Sequence, residues 1–161
     1  MKTAVVFYSL DGNCAFVAEE IKTILNADLI QLRTKREKKR GKIGNLFWGG
    51  AMVFSKKNPL LKRYEFDPAG YDLIVFGAPV WAGQPAPPFR TFFADTKITG
   101  KKAAFFVCHA GGMGNALEKF KSMLTGNEII SEVDFDDPAK KGDREDVKRQ
   151  IADWVKTFGF C

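Results

Sequence analysis

The sequence predicts an α/β fold in three layers, a five-stranded parallel sheet between two layers of helices. Three observations carry this. Apolar runs of strand length alternate with segments of helical periodicity along the 161 residues. Several of those runs are apolar at nearly every position, as strands covered on both faces are. The alternation is regular, as in parallel strands joined by helical crossovers. Crossovers of this kind are right-handed, and five such strands suit the doubly wound order 2-1-3-4-5.

The first strand is TAVVFYS (3–9). Residues 13–25 follow as a helix, with Val17, Ile21, Ile24 and Leu25 on one stripe at i, i+4, i+7 and i+8. ADLIQL (27–32) is the second strand and YDLIVFGA (71–78) the third. PPFRTFFAD (87–95) opens with prolines, which suit the first turn of a helix. KKAAFFVCHA (101–110) is the fourth strand, Leu117, Phe120 and Leu124 mark the next helix, and NEIISEVDF (127–135) is the fifth strand. Residues 144–158 form the closing helix, with Val147, Ile151, Trp154, Val155 and Phe158 on one face and Gly159 as its stop signal.

Residues 33–70 are too long for a short crossover. They are expected to form a long irregular or helical connection inside a single domain spanning 1–161. Phe47, Trp48, Met52 and Phe54 within it have two readings, a cover for the sheet, which is preferred, and a flap over a ligand.

Composition narrows the function classes. Hydrophobic residues make up 45 %, enough for a substantial core. No apolar run approaches the roughly 18 residues of a membrane span, and the N-terminus lacks the apolar stretch and cleavage site of a signal peptide. The expectation is a soluble, cytoplasmic protein without a membrane partner. Cys14, Cys108 and Cys161 are odd in number and lack CxxC spacing, against a disulfide framework or a structural zinc site. His109 is the sole histidine, against a His-rich metal centre. Much of the net charge of +6 sits in RTKREKKRGK (33–42) and KKNPLLKR (56–63), read as a solvated face. The stacking aromatics and base-reading motifs of a nucleic-acid binder are not recognisable, so no nucleic-acid partner is expected.

In a parallel sheet the loops after strands 1, 3 and 4 share the carboxyl edge, where ligands bind. Here they read SLDGNC (9–14), APVWAGQPAPP (78–88) and HAGGMGN (109–115), all rich in small residues that admit close backbone approach. The first opens a helix, whose N-terminal amides bind phosphate without lysine; an ordinary capped helix start is the competing reading. Trp81 in the second loop is either a packing residue or a flat wall for an aromatic ligand. His109 is either a structural hydrogen-bonder or a ligand contact. One phosphate pocket, one aromatic wall and one glycine-rich wall together fit an aromatic mononucleotide.

At these residues the chain resembles the flavodoxin-like family of FMN-binding proteins. Ser9-Leu10-Asp11-Gly12-Asn13-Cys14 is similar to that family's phosphate loop, T/S-x-T-G-N-T. GAPVWAGQPAPPFRTFF (77–93) looks like its G-x-P-V-W-x-G segment and following helix, and CHAGGMGNALEKF (108–120) its glycine-rich flavin loop. LFWGGAMVF (46–54) is similar to a segment of a short flavodoxin subgroup. The resemblance implies a flavodoxin-like fold and FMN as cofactor. It implies that Ser9, Leu10, Asp11, Gly12, Asn13 and Cys14 cradle the phosphate. Ala78, Pro79, Val80, Trp81, Ala82 and Gly83 would line one side of the isoalloxazine, and His109, Ala110, Gly111, Gly112, Met113 and Gly114 the other. The expected partner is a redox protein or an NAD(P)H- or quinone-type small molecule. An electron carrier and an FMN-dependent oxidoreductase both fit. Asp11 and Cys14 stand where the family commonly has threonine, so Asp11 is required to point outward or to bond the loop's own backbone. The positive net charge contrasts with the acidic surfaces of electron-carrying relatives.

Three other readings compete. A phospho-receiver of the same topology needs an aspartate ending the third strand, where Phe76-Gly77-Ala78-Pro79 stands. A cysteine phosphatase needs Cys-x5-Arg, but the sixth residue after Cys14 is Glu20. A flavin-free binding domain would use the basic 33–63 surface.

Overall fold

Successive residues of a strand face opposite sides of the sheet, so a central strand must be apolar at every position. β1 (Thr3–Tyr8) meets this from Ala4 to Tyr8, and all six of its residues, polar Thr3 included, are buried. Val5 and Phe7 enter one core cluster, and Ala4, Val6 and Tyr8 the other. In the computed structural model, which describes residues 1–35 and 58–159, β1 lies between β2 (Asp28–Leu32) and β3 (Leu73–Trp81). Beyond β3, the strands β5 (Lys102–His109) and β6 (Glu128–Asp136) complete the order β2-β1-β3-β5-β6, all parallel. This is the 2-1-3-4-5 order expected of five parallel strands. A sixth, β4 (Gln84–Pro85), pairs antiparallel with β3 and was not expected.

Helices cover both faces. α1 (Asn13–Leu25) and α4 (Arg144–Lys156) place Val17, Ile21, Val147, Ile151 and Trp154 against one face. α2 (Pro88–Asp95) and α3 (Ala116–Met123) place Phe89, Phe92 and Phe120 against the other. Gly77 shows how closely the layers are fitted. It pairs across the sheet with Phe106, and a Cβ on it would lie 2.1 Å from that ring's Cζ. The strand carries glycine there because the phenyl ring fills the space a side chain would take.

β3 runs three residues past its expected end, through Pro79, Val80 and Trp81. Its last partner on β1 is Phe7, opposite Gly77, so Pro79 has no β1 neighbour to which an N–H is owed. Proline is tolerated at such an edge. The chain then reverses through Ala82 (φ 48°) and Gly83 (φ 70°) into β4. Two residues of positive φ make the tight hairpin turn that matches strand twist.

The expectations for Phe47, Trp48, Met52 and Phe54 lie outside the described residues. At its two ends the long connection is held against itself. Thr34 bridges Leu61, the Lys62 N–H donates to the Arg33 carbonyl at 2.7 Å, and the Lys35 N–H to the Leu60 carbonyl at 2.8 Å. A single 3-10 turn at Pro68–Gly70, capped by Asp67, then leads into β3.

Candidate functional site

The loop after β1 is shaped by its own short side chains. The Ser9 hydroxyl accepts the Gly12 N–H at 3.2 Å, and Gly12 (φ 99°) turns the chain into α1, its carbonyl accepting the Phe16 N–H at 2.9 Å. Asp11 is exposed and turned onto its neighbours. One carboxylate oxygen accepts the Asn13 N–H at 3.4 Å; the other accepts from Asn13 Nδ2 at 3.1 Å and from Lys140 Nζ at 3.3 Å. Of the two orientations open to it from sequence, Asp11 combines both, pointing outward and bonding the loop's backbone.

Asn13, 3 % exposed, is the anchor of this loop. Its amide also donates to Asp137 at 2.7 Å, and its carbonyl oxygen accepts the Ala139 N–H at 3.0 Å. The side chain of this residue, which the resemblance places in the phosphate cradle, is thus committed to joining the β1 loop to the turn after β6. Burial pushes the Asp137 carboxyl up, but the Asn13 amide and Lys140 outweigh it and hold the group below its ordinary value. Burial pushes Lys140 down, but Asp11 and Asp137 outweigh that and hold it above its ordinary value.

Cys14 lies wholly inside the core on the α1 face of the sheet, together with Cys108. Burial first, and then a hydrogen bond with Cys108, push its thiol well above the ordinary range. A neutral, enclosed thiol is a packing group rather than a nucleophile. With the Asn13 and Cys14 side chains turned inward, the loop is left with its main chain and the Ser9 hydroxyl beside the cavity.

Beside the loop opens a cavity of about 390 Å³, lined by Ser9, Leu10, Gly12 and Ala15 on one side and Gln31, Arg33 and Lys62 on the other. Sequence reasoning missed the last three. Arg33 and Lys62 belong to the two basic runs read as a solvated face, and only the pairing across the long connection brings them together.

The second and third loops meet. Trp81 is half-buried and packs edge-on against Tyr8, ring centroids 5.7 Å apart. The Asn115 N–H donates to the Gly83 carbonyl at 3.2 Å. A Cβ on Gly114 (φ 53°) would lie 2.8 Å from the Gly83 Cα, so glycine is required where the loops touch. Ala78, Pro79 and Val80 belong to β3, Ala82 forms the exposed hairpin tip, and Ala110, Gly111 and Gly112 are exposed beside half-buried Met113.

His109 ends β5, and the sequence showed no partner for it. The register of β5 on β6 supplies two. Its Nε2 lies 2.9 Å from Asp134 Oδ2, its Nδ1 3.6 Å from Asp136 Oδ1, and the Gly112 N–H points at Nδ1 from 3.2 Å. Accepting at Nδ1 assigns the proton of the neutral ring to Nε2, donating to Asp134. His109 thereby holds the glycine-rich loop in place. Lys141, bonded to Asp136 at 2.6 Å, keeps that carboxyl below its ordinary value. Among the described residues no cluster of His, Cys, Asp or Glu is arranged to hold a metal ion, and no helix is long and apolar enough to cross a membrane.

No family model and no curated relative matches the chain. Solved structures do. A flavoprotein from Lactobacillus acidophilus, crystallised with FMN, superposes at TM-score 0.73 with 21 % identity, covering 96 % of this chain and 98 % of that one. The fold is flavodoxin-like. A Bacteroides eggerthii protein inferred to be a flavoprotein superposes at TM-score 0.80 with 18 % identity, covering 99 % of both chains. Oxidised flavodoxin 2 of Bacillus cereus does so at 0.61 with 18 % identity, covering 99 % of this chain and 98 % of its own. The flavodoxin-like sheet thus spans nearly the whole chain, with its carboxyl edge where the three loops gather.

Proposed function

We propose that the chain is an FMN-binding redox protein that passes electrons through a non-covalently held flavin. The observation that carries this is the junction of three loops at the carboxyl edge: a helix-opening turn beside a cavity, a half-buried tryptophan on a tight hairpin, and a glycine-rich loop bonded to that hairpin. The FMN held by the similar Lactobacillus flavoprotein supports the choice of ligand. The residues present fit a phosphate-bearing group, because the described residues lining the cavity beside the first loop include two cations and no carboxylate.

In this reading the main chain of Ser9 to Cys14 binds the phosphate, while Asn13 and Cys14 fix the turn from behind. Ala78 to Gly83 and His109 to Gly114 flank the ring and limit its access to water. Bound flavin supplies one- and two-electron chemistry; the chain positions the ring and sets the charge around it. A cytoplasmic location belongs to the same reading, and the buried free thiols Cys14 and Cys108 suit a reducing compartment.

The alternative is an FMN-dependent NAD(P)H or quinone oxidoreductase. The net charge of +6 favours either an acidic redox partner or a small-molecule donor. Titration of the purified chain with FMN tests the main reading: flavin fluorescence is quenched at micromolar protein, and an unchanged signal removes it. Stopped-flow mixing of the flavin-loaded protein with NADH and NADPH then separates the two, since rapid bleaching of flavin absorbance marks the oxidoreductase.

A further inference from the structure

Charges around the β1 loop are divided by side. Toward the turn after β6, Asp11 and Asp137 share Lys140, and Asp136 is paired with Lys141. Toward β2 the loop faces the cavity, and there the pattern reverses. Arg33 and Lys62 line it, neither has a carboxylate partner among the described residues, and no acidic residue among the described ones lines it at all.

The two cations are held in place. The hydrogen bond from the Lys62 N–H to the Arg33 carbonyl, together with the Thr34–Leu61 bridge, fixes their backbones side by side. Gln31 Oε1 accepts from Arg33 Nε at 3.2 Å and from Nη2 at 2.8 Å, bracing the guanidinium. Of five guanidinium donors, that brace leaves three. Ser9, only 8 % exposed, lines the opposite wall; its oxygen accepts from Gly12, and its hydroxyl hydrogen has no acceptor among the described residues. Two cations whose remaining donors have no partner among the described residues, a hydroxyl and a helix N-terminus around one cavity suit a phosphate monoester dianion.

We infer that Arg33 and Lys62 are specificity-determining residues for a phosphorylated flavin, holding its phosphate from the β2 side of the cavity. This rests on the flavin reading above and adds to it an account of how the site tells FMN from riboflavin. It predicts binding in which much of the selectivity for the phosphate is electrostatic and weakens with salt.

The test titrates FMN and riboflavin, at about 20 mM and about 500 mM salt, into the wild type, an Arg33→Gln/Lys62→Gln variant and a charge-preserving Arg33→Lys/Lys62→Arg variant. Both positions are exposed, so the fold is expected to survive, and riboflavin affinity serves as the control for it. The expected result is a loss of at least about tenfold in FMN affinity in the double Gln variant, riboflavin unchanged within about twofold, and a flattened salt dependence. The charge-preserving variant keeps most of the selectivity. FMN bound equally well by the wild type and the double Gln variant overturns the assignment and leaves the flavin reading standing. A wild type that binds neither flavin overturns the flavin reading itself, and the assignment with it.

Discussion

Replacing Asn13 with alanine tests the idea that the β1 loop is held from behind by the turn after β6. Asn13 is 3 % exposed and makes three side-chain contacts, to Asp11 at 3.1 Å, Asp137 at 2.7 Å and the Ala139 N–H at 3.0 Å. Hydrogen bonds to charged groups contribute about 1.5–3 kcal/mol each, neutral ones about 1. Asp11 and Asp137 both keep Lys140 after the substitution, so the loss falls mainly on the Asp137 and Ala139 contacts. The expected destabilisation is about 2–3 kcal/mol, a fall of roughly 5–10 °C in Tm for a chain this size, read by urea and thermal unfolding of the flavin-free protein. The pH profile adds a sign. Asp137 is held below its ordinary value partly by Asn13, so its contribution is full above the unfolded carboxyl value of about 3.9 and is lost as pH falls through the lower folded value. The variant's deficit should be complete at pH 7 and shrink below about pH 4. A deficit under about 0.5 kcal/mol at pH 7, or one that stays constant into acid, refutes the reasoning.

Other perturbations probe the remaining parts of the edge. Gly77→Ala drives a methyl group into the Phe106 ring, costing about 1–3 kcal/mol of overpacking; Gly77→Ala/Phe106→Leu should recover part of it, and a neutral single variant would show that the ring moves freely. Trp81→Ala should weaken FMN binding about tenfold if the indole is a wall for the ring, and unchanged affinity in a fluorescence titration removes that role. Gly114→Ala places a Cβ 2.8 Å from the Gly83 Cα, so amide exchange at Asn115 should rise sharply; protection equal to wild type would show that the two loops are not joined there. Iodoacetamide should leave Cys14 and Cys108 unlabelled in the native protein and label both in urea, checked by peptide mass; native labelling would contradict their burial.

What could be read in advance was whatever the chain writes locally. The unbroken apolar runs of β1, and of Leu73 to Phe76 in β3, show in the residues themselves, because burial on both faces demands them. The three loops were recognisable by their small residues, and their shared edge follows from parallel strands alone. The features that were missed depend on register or on distant pairing. Asn13 meets Asp137 across 124 positions, and His109 meets Asp134 and Asp136 only because β5 and β6 align as they do. The β4 hairpin is two residues long, and Pro79 read as a strand end because nothing local reveals that β3 outlasts its neighbour β1. Arg33 and Lys62 looked like ordinary solvated charge until the bridge at Thr34–Leu61 set them side by side.

The aspartate in the helix-opening turn is the hardest residue to reconcile with an anion site, and the structure makes it intelligible through geometry rather than sequence class. A carboxylate about 4 Å from a phosphate would oppose it by about 4 kcal/mol per unit charge at an effective dielectric of 20. Asp11 avoids that position because two groups draw it away: the amide of its loop neighbour Asn13 and, from the turn after β6, Lys140. Both are tied to Asp137, so the turn after β6 acts as a counterweight that keeps negative charge on its own side of the loop. Deleting Lys140 should therefore do more than remove an ion pair. With Lys140→Ala, Asp11 loses the cation that holds it outward, and anion affinity at the loop should fall even though the substituted residue lies outside the cavity. Riboflavin, lacking the phosphate, should bind the variant and the wild type alike. Equal FMN affinity in the two proteins would show that Asp11 is oriented by the loop backbone alone.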